Sequence, residues 1–140
     1  MATKDMFTED EWEALHKGAT GAGLLVSVSD RDFTDSFGEA SELAKRLRQE
    51  HEESASELVR ELAAVRGTGF GLTTSPQKAE TETLDAIGSA MSTLAAKAPE
   101  ERDAYRQFVL DLANAVAGAK GGVTPAETAA IEKITAALDA

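Results

Sequence analysis

The sequence predicts an all-α fold, six helices packed as a single-domain bundle over residues 1–140. Three observations carry that prediction. Alanine, the strongest helix former, supplies 26 of the 140 residues, while aromatic residues make up only 5%. Apolar residues recur at intervals of three and four, and no segment alternates with period two for long enough to form a strand. Four Ser/Thr-x-x-Glu signatures, Thr8/Glu11, Ser36/Glu39, Ser54/Glu57 and Thr124/Glu127, mark helix starts. In such a box the two side chains satisfy each other's backbone N–H groups.

The first helix is expected over 9–28. Phe7 and Trp12 flank its cap at the spacing of a hydrophobic staple. Trp12, Leu15, Ala19, Ala22 and Val26 then follow at helical intervals. Gly18, Gly21 and Gly23 each cost up to about 1 kcal/mol against alanine, so close approach of another helix is their expected role. A polar loop, Ser29 to Asp35, comes next. From Ser36 the apolar positions run through Phe37, Ala40, Leu43, Ala44 and Leu47, then Ala55, Leu58, Val59, Leu62 and Val65. The stretch 51–54 has no apolar residue. One helix over 36–66, or two meeting near 52–54, fits this pattern. The break is favoured, because thirty residues is long for a helix in a small domain.

Residues 67–75 form a Gly-rich connector between two halves of three helices each. Ser75-Pro76 starts the fourth helix, marked by Leu84, Ile87, Met91, Leu94 and Ala95 and ending near Lys97. Pro99 starts the fifth, where Glu100, Glu101 and Asp103 suit the positive end of the helix dipole. Its buried stripe is Tyr105, Phe108, Val109, Leu112, Ala115 and Val116, and the glycines after Ala117 end it. Thr124-Pro125 opens the last helix, whose apolar positions are Ile131, Ile134, Ala137 and Leu138.

Charge narrows the range of functions. The chain holds 25 acidic and 14 basic residues, a formal net charge of −11. Such a surface repels phosphate, which argues against nucleic acid and anionic membrane as main partners. There is no cysteine, hence no disulfide, thiolate metal site or cysteine nucleophile. The first residues lack the apolar stretch of a secretory signal, and Gly21–Val28 is too short to span a bilayer. The expected location is the cytoplasm.

Few residues stand out for chemistry. Asp30, Asp32 and Asp35, with Glu39 beyond, could offer oxygen ligands to Mg²⁺ or Ca²⁺, but their spacing does not match a calcium-binding loop. The plainer expectation is a solvated loop whose acids cap the next helix. His16 and His51 have no partner at metal-ligand spacing and read as surface or boundary residues. Gly67-x-Gly69-x-Gly71 lacks the strand and spacing of a nucleotide cradle. It places Phe70 and Leu72 on a loop, where they either dock a partner or second copy, or fold back over the core. No serine sits in a nucleophile elbow. Enzymatic activity is therefore not expected, and neither is an obligate cofactor.

Two segments carry a family resemblance. The run Leu112-Ala113-Asn114-Ala115-Val116-Ala117-Gly118-Ala119-Lys120-Gly121-Gly122-Val123-Thr124-Pro125-Ala126-Glu127 resembles the repeated signature of TerB-like tellurite-resistance domains. In that family a helix ends in Ala-Asp-Gly, followed by a turn, a valine or isoleucine, and a cap leading to glutamate. Val26 to Thr34 echoes it, with Asp30 at the aspartate, Phe33 at the apolar position and Thr34 at the cap. Lys120 replaces the aspartate of the second copy, and Phe37 stands where the first should have glutamate. The resemblance implies an all-helical fold with two pseudo-symmetric halves. It further implies a non-enzymatic role in stress response, metal-linked sensing or membrane-associated complexes. The family's acidic sites imply divalent metal, although each half here lacks one of the two acids. The expected function is protein–protein interaction in a bacterial stress response, with weak metal binding at the Asp30 loop as the alternative.

Overall fold

The computed structural model describes residues 4–29, 36–54, 56–64, 76–117 and 125–139. Six α-helices run in chain order: α1 (Glu9–Ser29), α2 (Ser36–Glu53), α3 (Glu57–Ala64), α4 (Pro76–Lys97), α5 (Arg102–Ala117) and α6 (Pro125–Asp139). Single 3₁₀ turns precede α1 at Lys4–Met6 and α5 at Pro99–Glu101. There is no strand among the described residues.

The capping box forms as expected at α1. Thr8 N–H donates to Glu11 Oε1 at 2.8 Å, and Glu11 N–H donates to Thr8 Oγ1 at 3.2 Å. The first helical bond, Trp12 N–H to Thr8 O, follows at 2.9 Å. The predicted stripe is the buried one: Trp12, Leu15, Ala19, Ala22 and Val26 all lie in the core. α1 packs most extensively against α4, then α5, then α6. It runs antiparallel to α4, because Glu11 meets Lys97 while Lys17 meets Glu82. Gly18 is the close approach. A Cβ there would lie 2.7 Å from the Tyr105 hydroxyl and 3.3 Å from the backbone nitrogen of Ile87.

The break between α2 and α3 is real, but its cap differs from expectation. Ser54 does not cap α3; its Oγ accepts from Ser56 N–H at 3.2 Å within the turn. Ser56 Oγ accepts from Val59 N–H at 3.3 Å, three positions on, the geometry of an N-cap. The same hydroxyl donates to Glu101 Oε2 at 2.6 Å. Glu101, one of the acids at the start of the fifth helix, is thus also a buried acceptor. Arg46 holds α2 to α5 through Asp111 at 3.0 Å while also reaching Glu50 at 2.6 Å.

Smaller departures follow from the angle at which each helix meets the core. Ala95 is exposed, while Ala90 within α4 and Ala98 just after its end are buried. Ala115 is half-buried, with Ala113 in the core instead. α6 buries Ile134 and Leu138 and adds Ala130 and Glu127. Its outer end is held to α5 by Arg106, which donates Nε–H to Asp139 Oδ1 at 2.8 Å and Nη2–H to Oδ2 at 3.2 Å.

Candidate functional site

The residues singled out in the sequence for metal and for docking, Asp30, Asp32, Asp35, Phe70 and Leu72, lie outside the described residues. So do Gly67, Gly69 and Gly71. Among the described residues no three or more histidine, aspartate or glutamate side chains are placed to hold a metal ion. His51 is exposed at the end of α2, and its Nδ1–H donates to Arg60 O at 3.0 Å. His16 is buried, contrary to a surface or boundary position, because it shares the inward side of α1 with Trp12, Leu15 and Ala19. Tyr105 is fully buried, donates to Leu15 O at 2.6 Å, and has its phenol pKa pushed well above the ordinary value by burial. That hydroxyl ties two helices together.

The described surface offers its most differentiated chemistry at the head of α1. The staple places the Phe7 and Trp12 rings 6.2 Å apart at 40°. Lys97 Nζ lies 6.0 Å from the Phe7 ring centre, donates to Glu11 Oε1 at 2.5 Å and reaches Met6 O at 3.2 Å. Lys97, and then the Thr8 amide, hold the Glu11 carboxyl below the usual glutamate range. Beside this cluster opens a cleft of about 570 Å³ bounded by Asp5, Phe7, Glu9, Trp12, Glu13 and His16. Asp5, Glu9 and Glu13 make no ion pair or side-chain hydrogen bond among the described residues.

Comparison with protein-family models, curated proteins and solved structures found no match.

Glu13 also borders a shallower groove between α1 and α4, with Asp10, Lys17, Glu82 and Asp85. Only Lys17 brings positive charge there, and it lies 3.7 Å from Glu82. The acidic lining therefore continues from the cleft along the α1–α4 seam. A third depression, about 750 Å³, lies over α4 and α6 around Leu84, Gly88, Met91 and Ala137. Nothing stands within 4 Å of a Cβ built at Gly88. Sequence reasoning missed the cleft. Its signals were the four-residue spacing of Asp5, Glu9 and Glu13, and the matching Trp12–His16 step, both hidden among many acids. No helix among the described residues is long and apolar enough to cross a membrane.

Proposed function

We propose that this protein works as a non-catalytic binding protein, engaging another protein through the acidic side of α1. One observation carries the reading: Asp5, Glu9 and Glu13 line one cleft together with Phe7 and the edge of the core at Trp12, at the head of a helix whose apolar stripe is held in the core. Binding surfaces gain from rigid support, since little order has to be created on association. The TerB-like signature supports a bacterial stress response as the setting. The net charge of −11 favours a basic partner and disfavours nucleic acid.

Photocrosslinking in cells tests the reading. A benzophenone amino acid placed at Glu13 should yield a discrete protein adduct, and the same group at Glu52, exposed on α2, should not. Absence of any adduct at Glu13, or an identical pattern from both positions, would overturn the proposal.

A further inference from the structure

We propose that α2 and α3 form a flap that undocks as one piece from a four-helix core of α1, α4, α5 and α6, and closes on it again. The flap is a conformational device separate from the cleft at the head of α1.

The pattern of helix packing carries the inference. Among the described residues, each of α1, α4, α5 and α6 packs against the other three. α2 and α3 pack instead on each other and on α5, and α2 touches α1 only slightly. Taking the pair away leaves every helix contact of the remaining four in place. The pair is also tied within itself: His51 of α2 bonds Arg60 O of α3 at 3.0 Å, and Ser54 Oγ closes the turn between them. Two polar fastenings hold it to the core. Arg46 meets Asp111 of α5 at 3.0 Å, and Ser56 Oγ–H donates to Glu101 Oε2 at 2.6 Å. Apolar burial comes from Leu58, Val59, Leu62 and Ala63 of α3. Over 45–53 no side chain of α2 is buried, and Leu47 is the one apolar residue there, half-buried. Helices in proteins owe most of their stability to packing. α3, at eight residues, cannot persist once undocked, and α2 then loses its packing on both neighbours. Elements that move are drawn from the least stable part of a fold. Opening turns Leu58, Val59 and Leu62 outward and uncovers the carboxylates of Glu101 and Asp111. The closed protein does not present that surface.

Hydrogen exchange of the full chain, followed by mass spectrometry in urea below the unfolding transition, tests the proposal. The amides of α2 and α3 should share one opening equilibrium. They should exchange about ten-fold or more faster than the slowest amides of α1, α4 and α5. Their exchange should also depend less steeply on urea, because opening the flap exposes less surface than unfolding the whole chain. Two variants separate flap opening from global unfolding. Gly18 meets Tyr105 and Ile87, and Ile87 is fully buried in α4, so both sites stay packed when the flap leaves. Gly18→Ala, and the milder Ile87→Val, should therefore speed exchange in α1, α4 and α5 and leave α2 and α3 unchanged. One common urea dependence for all six helices would overturn the proposal. So would separate opening equilibria for α2 and α3, or equal acceleration of all helices by both variants.

Discussion

Gly18 shows how a residue with no side chain decides the packing of three helices. The site already holds the Tyr105 hydroxyl, hydrogen-bonded and fully buried, and the backbone of Ile87. Neither has room to retreat. Alanine would gain about 1 kcal/mol of helix propensity, but overpacking of this kind costs about 1–3 kcal/mol. With a Cβ only 2.7 Å from the Tyr105 oxygen the steric term wins. Gly18→Ala should therefore destabilise the protein by up to about 2 kcal/mol, read as a lower urea midpoint. Because the clash is partly with an oxygen, the same change made in a Tyr105→Phe background should cost less, by about 0.5 kcal/mol or more. Additive midpoints would show that Ile87 alone sets the constraint. The need for close approach at this glycine was legible in its helical context. The approaching groups were not, since Tyr105 is 87 positions further along the chain and local periodicity carries no such information.

The join between α2 and α3 is a helix stop built from two serines with different jobs. Ser56 caps α3 and also satisfies Glu101, whereas Ser54 closes only the turn. Removing the Ser56 hydroxyl loses a cap, about 1 kcal/mol, and leaves a buried acceptor unmet, about 1–3 kcal/mol more. Ser56→Ala should therefore lower the urea midpoint clearly more than Ser54→Ala. A Glu101→Leu background should shrink the effect of Ser56→Ala toward the cap alone. The break itself was readable from 51–54, where no apolar residue continues the stripe. The identity of the cap was not, because both serines stand before plausible helices and the deciding partner is 45 residues away. The same limit applies to the candidate site. The staple and capping box at α1 were legible because their partners are within five residues. The cleft beside them depends on how the Lys4–Met6 turn folds against α1, which no spacing rule specifies.

Two ion pairs fasten the outer ends of the molecule: Lys97–Glu11 joins the end of α4 to the start of α1, and Arg106–Asp139 joins α5 to the end of α6. In each the basic partner holds the carboxyl pKa below its ordinary value. A group whose folded pKa is depressed adds stability above its unfolded pKa, and that stability is lost as pH falls through the folded value. The contribution of both pairs is thus present at neutral pH and disappears below about pH 4. Acid also relieves repulsion within a chain of net charge −11, an opposing effect shared by every carboxylate. A difference measurement separates the two. The gap in urea midpoint between wild type and Glu11→Gln/Asp139→Asn should be open at neutral pH and closed in strong acid. A gap that stays constant with pH would show that the pairs act through packing and not through charge. Adding salt should narrow the gap as well, since both pairs reach the surface.

The position of α1 has a consequence for biosynthesis. Leu15, Ala19, Ala22 and Val26 face helices that are translated much later. The Leu15 carbonyl receives its Tyr105 hydrogen bond from a residue 90 positions downstream, and Glu11 meets a lysine 86 positions downstream. At about 5–20 residues per second, α1 waits roughly 5–20 seconds for the chain that covers it. During that interval its apolar stripe is open to α2 and α3, to other nascent chains, or to a chaperone. A ribosome stalled after α3 would therefore display a sticky segment rather than half of a folded protein, and slow codons placed before α4 should raise aggregation while the same codons placed after α6 should not.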